Sequence, residues 1–312
     1  MHTPLVSIVV ATYKSRRDYL SEAITSALAQ TWRDIEVIVS DDSPDDGLRR
    51  LVESFDDVRV RYRRNAPALG VARNHWACFR AARGEYIAIL NHDDWLTPTF
   101  VEQLAGALLA NPQAVLAFCD HWIIDADGRR SIEATEQASV SWGRARLAEG
   151  MHRPFFDLVQ AQTIPMAMGT VFRRSSLPEV LPDDAGPAYD LWLSYLLSRG
   201  GGGAWFVPQR LSAWRTHAAN LTSQAGADWL LGTARCWQAM AHDPCFHGLR
   251  QSARRGAARA YRSCAVHSWS QGRSSECLRY ALRSLRCLPT LKSLVACALP
   301  LVPRSLASGP TA

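Results

Sequence analysis

Gly84-Glu85-Tyr86-Ile87-Ala88-Ile89-Leu90-Asn91-His92-Asp93-Asp94-Trp95 is the stretch that decides how this chain is read. Tyr86 to Leu90 is a short apolar run with aromatic and β-branched members, the pattern of a strand buried in a mostly parallel sheet. It stops at two adjacent carboxylates. In open α/β sheets, ligands gather beyond the carboxyl ends of the strands. Paired acids there suit a hard divalent cation, which takes oxygen ligands and bridges them to a substrate diphosphate. A solvated acidic turn ahead of a helix at Thr97-Pro98 is the competing reading of the same residues.

The neighbouring segments repeat the pattern. Leu5 to Thr12 and Ile35 to Ser40 read as buried strands, and Val58 to Tyr62 as a partly exposed one. Helical spacing marks Arg16 to Gln30, Pro44 to Phe55, Gly70 to Ala82 and Pro98 to Ala110. Strands alternating with helices imply right-handed βαβ units, hence an α/β fold with helices flanking the sheet. One edge of that sheet then carries Tyr13, Asp41, Asp42, Asp93 and Asp94. Further on, Ala114 to Cys119 is a strand and Trp122 to Gly128 a hairpin with an Asp-Gly turn. Ser131 to Met151 shows no clear period. Met168 to Phe172, Ala204 to Val207 and Arg210 to Arg215 are expected strands, and Tyr189 to Ser198 an amphipathic helix stopped by Gly200 to Gly203. After Gly226 the chain turns to Ala-, Arg- and Leu-rich helix.

The chain has 312 residues, 47% of them hydrophobic, enough for one large domain or one domain plus an appendage. No apolar run reaches the length of a membrane span, and no signal peptide is expected ahead of Leu5. The 8 cysteines are scattered without a C-x-x-C pair, so neither a zinc site nor a disulfide framework is indicated and a reducing cytoplasm is the natural compartment. The net charge of +6 is uneven. From Arg250 on there are 11 basic residues and one acid, Glu276, against 24 basic and 28 acidic residues before it. A tail so charged is expected to meet an anionic partner. The apolar run Leu294 to Pro303 beside it points to peripheral contact with the cytoplasmic face of an anionic inner membrane. Packing of these helices on the catalytic domain is the alternative. Nucleic acid is not expected, because no aromatic residues interleave the arginines.

Taken in order, Val6-Ser7-Ile8-Val9-Val10-Ala11-Thr12-Tyr13, Ser26 to Trp32, Ile38-Val39-Ser40-Asp41-Asp42-Ser43, Gly70-Val71-Ala72-Arg73-Asn74, Gly84 to Trp95 and Trp214-Arg215-Thr216-His217 resemble the inverting family 2 glycosyltransferases of the GT-A fold. The resemblance covers residues 5 to about 222 and implies a glycosyltransferase domain over 1–225, followed by a helical region over 226–312. Within the domain, a nucleotide-sugar half runs to about residue 120 and an acceptor half over 121–225. It implies a nucleotide-diphosphate sugar donor, for which a UDP-sugar is expected, and a glycan or lipid-linked acceptor in surface polysaccharide synthesis.

Donor contacts then fall to Ala11, Thr12, Tyr13, Asp42, Arg73 and Asp93. Tyr13 would lie on the base or ribose, Asp42 would accept from a base N–H, Arg73 would face the phosphates and Asp93 would touch ribose or metal. Asp94 and His217 would hold Mn²⁺ or Mg²⁺, with His217 also a candidate phosphate contact. Asp190 would be the general base. On the acceptor side, Trp122 and Trp142 are candidate sugar platforms, and Met168 and Gly169 a pocket wall.

Three positions depart from the family pattern. Ala11 stands where a proline is usual, and Asn91 replaces the first acid of the Asp-x-Asp-Asp form. Ala188 replaces the acid that serves many members as base. Either Asp190 takes that role, or Asp183 or Asp184 reaches in, or activity is weak. A nucleotide-sugar-binding module without catalysis is therefore the second hypothesis, and a nucleotidyltransferase on a similar sheet the third.

Overall fold

The structure is a computed structural model that describes residues 3–183, 185–217 and 226–301. Contacts divide the chain into two compact units, Met1–Asp183 with Tyr189–Asn220, and Asp184–Ala188 with Leu221–Ala312.

The first unit is built on one sheet. Its strands are β1 (Val6–Thr12), β2 (Ile35–Asp41), β3 (Val60–Arg64), β4 (Tyr86–Ile89), β5 (Trp95–Leu96), β6 (Ala114–Ile124), β7 (Arg130–Ser131), β8 (Gly150–His152), β9 (Thr170–Arg173) and β10 (Gly203–Arg215). The main order is β3-β2-β1-β4-β9-β6-β10-β5, with β7 on β6 and β8 on β10. The pairs β3–β2, β2–β1, β1–β4 and β6–β10 are parallel, while β9 runs antiparallel to both β4 and β6. Helices α1 (Arg17–Leu28), α2 (Arg49–Glu53), α3 (Val71–Ala81), α4 (Phe100–Ala110), α5 (Ile132–Ser141), α6 (Phe156–Gln160) and α7 (Tyr189–Ser198) complete this unit.

Every residue of β1 and β2 is buried, and each fully buried Val or Ile there contributes about 1.5–3 kcal/mol. Glu36 sits inside this apolar layer because its carboxylate accepts from Ser7 Oγ (2.6 Å), Arg83 N (2.7 Å) and Arg61 Nη1 (2.8 Å). Burial pushes its pKa up, but these bonds leave it below the ordinary carboxylate value. Gly84 is required by contact: a Cβ there would lie 2.6 Å from Leu5 O and 2.7 Å from Ser7 N. That close approach delivers β4 against β1.

Local chemistry explains where the elements differ from expectation. The helix expected over Pro44–Phe55 shrinks to Arg49–Glu53, because Asp45 Oδ1 accepts from Gly47 N at 2.8 Å and makes the start a turn. The third strand begins at Val60 rather than Val58, because Asp57 Oδ1 takes Arg59 N at 2.9 Å and Val58 is left 99% exposed. The two short strands expected over 204–215 form one strand whose register shifts on either side of Arg210. The unplaced stretch after Ser131 forms α5, capped by Ser131 Oγ accepting from Ala134 N, then a single turn of 3₁₀ helix and β8.

The second unit contains α8 (Ala227–His242), α9 (Arg250–Ser270), α10 (Ser274–Cys287) and α11 (Leu291–Ala298). Small residues let these helices approach closely: Ala265, Cys277, Ala281 and Ala296 form one buried cluster, and Ala234, Ala260 and Tyr261 another. The expected domain boundary at residue 225 lies outside the described residues.

Candidate active site

The edge predicted to carry function is defined by register. Thr12 at the end of β1 pairs with Asp41 at the end of β2, and Asp42 N bonds Thr12 O at 2.9 Å. Asp41 is absorbed by structure: its oxygens accept from Ser43 N and from Tyr62 OH, each at 2.8 Å. Asp42 is 4% exposed, and its two oxygens accept from Asn65 Nδ2 and Gly70 N, again at 2.8 Å. It thereby fixes Gly70, whose φ of +81° and ψ of 163° suit glycine alone, at the start of α3. Asn65 and Asn74 extend the network, with Asn65 Nδ2 to Asn74 Oδ1 at 3.0 Å and Asn74 Nδ2 to Ser40 O at 3.0 Å. Neither asparagine belongs to a motif that implies a role for it in the sequence. Their signal was position alone, one just past β3 and one on the first turn of α3.

Above this floor, Tyr13 is 55% exposed, the right state for stacking on a flat ring, whereas Ala11 and Thr12 are buried. Thr12 Oγ1 is buried with no hydrogen-bond partner among the described residues. Arg73 on α3 pairs with Asp183 at 3.1 Å, and both side chains are more than half exposed. Such a pair contributes about 0–1 kcal/mol, so a phosphate could displace Asp183.

The acidic turn after β4 is held from three sides. Ser15 Oγ and His92 Nδ1 are 2.9 Å apart. Asp94, 1% exposed, accepts from Arg215 N at 2.8 Å and from Asn91 Nδ2 at 2.9 Å. Asp93 Oδ2 lies 3.0 Å from His217 Nε2. Burial and the neighbouring Asp93 charge push the Asp94 carboxyl well above its usual range.

Arg215 organises this corner. It is 2% exposed, donates through Nε to Asp93 O at 2.8 Å and through Nη1 to Ala126 O at 3.2 Å, and pairs through Nη2 with Glu22. Its guanidinium also lies 4.4 Å from the Tyr19 ring centroid. In the Trp-Arg-Thr-His segment the histidine is the expected ligand, and the arginine is the anchor.

A carboxylate oxygen and an imidazole nitrogen 3.0 Å apart match two adjacent ligands on a cation with bonds of about 2.0–2.2 Å. No cluster of three such ligands forms among the described residues, so water and substrate phosphate would complete the shell, the habit of Mg²⁺-like ions. On that donor set, Asp93 and His217 fit a divalent cation.

Tyr189 and Asp190 open α7. The Tyr189 ring stacks on His75 at 3.8 Å, and its phenol is pushed well up by burial and then by Asp190, Asp94 and Asp93. His75 is buried, and burial lowers its imidazole to about 4. Asp190 Oδ1 accepts from Leu191 N at 2.8 Å, and burial raises its carboxyl above the ordinary value. Ala188 is 1% exposed, and Asp184 lies outside the described residues.

On the acceptor half, β9 runs antiparallel to β4, which brings Gly169 and half-buried Met168, just ahead of Thr170, to the same edge. Trp122 is half-buried, with Arg130 at 4.6 Å and Arg210 at 4.9 Å from its ring centroid. Arginine stacking thus already occupies the ring that was expected to meet a sugar. Trp142, at the end of α5, is 38% exposed.

The glycosyl transferase family 2 model matches residues 7–180. The chain belongs to that family. It is 33% identical over 125 residues to an uncharacterized glycosyltransferase of Rickettsia typhi, covering 40% of this chain and 38% of that protein. It is 35% identical over 101 residues to the UDP-Glc:alpha-D-GlcNAc-diphosphoundecaprenol beta-1,3-glucosyltransferase WfaP of Escherichia coli, covering 32% and 40%. In both, the match spans less than half of the relative's length. The fold matches residues 1–349 of S. aureus TarS with a TM-score of 0.65 at 11% identity, covering 99% of this chain and 93% of that one. It also matches a Pyrobaculum calidifontis mannosyltransferase, solved with GDP-Man and Mn²⁺, with a TM-score of 0.58 at 17% identity, covering 96% and 87%. These likenesses establish the GT-A fold.

Proposed function

We propose that this glycosyltransferase moves a sugar, with inversion, from a nucleotide-diphosphate donor to a glycan or lipid-linked acceptor hydroxyl. The carrying observation is the meeting of Asp93 Oδ2 and His217 Nε2 at the carboxyl edge of the sheet. The donor base lies on Tyr13 and against Asp42, each of whose oxygens keeps lone-pair capacity beyond its present bond. Asp93 and His217 would hold Mn²⁺ or Mg²⁺, which would supply Lewis-acid stabilisation of the departing diphosphate. Asp94 is assigned to support of the turn, which departs from the sequence expectation; the support is that Asp93 is the carboxylate that meets His217 Nε2, while Asp94 is 1% exposed and accepts from Arg215 N and Asn91 Nδ2. Arg73 releases Asp183 and meets phosphate. The acceptor oxygen attacks the anomeric carbon, the bond to the diphosphate oxygen breaks, and Asp190 takes the hydroxyl proton. A UDP-sugar donor and an undecaprenol-linked acceptor rest on the name of WfaP, and a place in surface polysaccharide synthesis rests on the sequence resemblance alone.

Free nucleoside diphosphate, assayed with Mn²⁺ and a panel of donors with and without acceptor, tests this reading. Acceptor-dependent release supports it, and donor binding without any release would make the chain a binding module. Asp190→Asn keeps shape and removes basicity, so transfer is expected to fall about 10²-fold or more with donor binding retained. The raised Asp190 carboxyl must be deprotonated to act, so wild-type kcat/KM should fall as pH drops through a pKa above the ordinary aspartate value. That acid limb should vanish in Asp190→Asn, and an unchanged profile would move the base elsewhere. Asp42→Ala should raise donor KM more than it lowers kcat, and should cost about 1–3 kcal/mol in melts because Gly70 N and Asn65 lose their acceptor.

A further inference from the structure

The last helix of the second unit wears its side chains the wrong way round for a soluble bundle. On α11 the buried positions are Ser293 and Ala296, with Cys297 half-buried. Leu291, Leu294 and Val295 point outward, 77%, 54% and 58% exposed, and Ala298 joins them. These four occupy positions i, i+3, i+4 and i+7, a single helical face. Serine 293 is satisfied inside by Ser284 Oγ (2.9 Å) and Thr290 Oγ1 (2.9 Å), so a hydrogen-bond network, not a register error, seats the small polar face inward. The neighbouring helix adds a second stripe. On α10, Leu278 and Leu282 are 41% and 40% exposed and Leu285 is half-buried, again at i, i+4 and i+7.

Cations flank both stripes. Arg279 and Arg286 run alongside the α10 leucines and are exposed, and Lys292 is exposed at the start of α11. Arg254 of α9 donates to Cys287 O at 2.7 Å, which sets another exposed guanidinium beside the α10–α11 turn. Glu276, the one acid after Arg250, is engaged by Arg273 at 3.0 Å and Arg279 at 3.9 Å. Among the described residues, Arg254, Arg286 and Lys292 have no carboxylate partner.

We propose that the outward face of α10 and α11 docks on a lipid bilayer that carries anionic headgroups, with the leucines at the acyl boundary and the arginines among the headgroups. Two alternatives fit the surface less well. A second copy would oppose one cationic face to another, and a nucleic acid would meet aliphatic side chains where base stacking needs aromatic ones. No helix among the described residues is long and apolar enough to cross a membrane, so the contact is interfacial. The inference does not depend on which sugar is transferred, and its test does not read activity.

The test is flotation of the full chain with vesicles of phosphatidylcholine containing about 30% phosphatidylglycerol, in about 50 mM salt. The chain should float there, and stay down with phosphatidylcholine alone or in about 0.5 M salt. The triple variant L291Q/L294Q/V295Q and the pair R286Q/K292Q should each bind at least about tenfold less while melting like the wild type, since all five side chains are exposed. Failure of the wild-type chain to float overturns the proposal. So does flotation that both variants retain. A concentration-dependent doubling of mass without vesicles, lost in the triple variant, would assign the face to a second copy instead.

Discussion

Asp93→Ala is expected to abolish sugar transfer, by about 10³-fold or more, while the protein still folds. The side chain meets His217 at the sheet edge, and its removal takes one carboxylate from beneath the departing diphosphate. The backbone stays anchored, because the Asp93 carbonyl accepts from Arg215 Nε. Asp94→Ala is the informative contrast. Its oxygens accept from Arg215 N and Asn91 Nδ2 in a buried setting, so its loss should first appear as about 1–3 kcal/mol of stability. Transfer assays and melts on both variants, across a Mn²⁺ titration, separate the roles. If Asp93→Ala keeps near-normal turnover while Asp94→Ala loses Mn²⁺ dependence, the ion belongs on Asp94.

Arg215→Met should be the most destabilising single change at the site. A buried arginine that bridges a carboxylate and two carbonyls leaves unsatisfied acceptors when its charge is removed, a loss of about 3–5 kcal/mol in fully buried cases. Glu22 is 47% exposed and can be rehydrated, so the lower end, about 3 kcal/mol, is expected here. For a unit of this size that is roughly 6–12 °C in the melting temperature. Mn²⁺ affinity should weaken with it, because the 93–94 turn and His217 both hang from this residue. A melt within about 2 °C of wild type would show that Arg215 is not the anchor.

The alternation of apolar runs with helical spacing made the parallel part of the sheet legible, because strands buried on both faces leave little choice of residue. Tyr189–Ser198 matched its expected helix at both ends for a similar reason: an acid near its start and a glycine run after it. Turn chemistry inside polar segments was less visible. Asp45 and Asp57 each shortened an element by bonding a backbone N–H two residues on. The antiparallel course of β9 was not readable either, because a four-residue apolar strand has no direction in its composition. At the site, the edge and its acids were evident. Which of Asp93 and Asp94 would meet an ion was not, since adjacent identical side chains differ only in the partners the fold gives them. Arg215, Asn65 and Asn74 were hidden for the same reason: their importance lies in partners 89 or more, 23–25 and 34–62 residues away in the chain, respectively.

The insertion of β9 between β4 and β6 also sets an order of assembly. β3, β2, β1 and β4 can pair as soon as residue 89 has been made, since every contact they need among themselves is then present. β6 is complete by residue 124, yet it has no place beside β4 until Thr170–Arg173 arrives to join them. For the intervening stretch of synthesis, two apolar strands each offer an unpaired edge to any other extended chain. Contacts this distant in sequence are slow to close. The nascent chain is therefore exposed to aggregation from the completion of β6 until β9 is made at residue 173, with the other edge of β6 open until β10 follows over Gly203–Arg215, and a variant that slows the docking of β9 would reduce the yield of folded protein more than its equilibrium stability suggests.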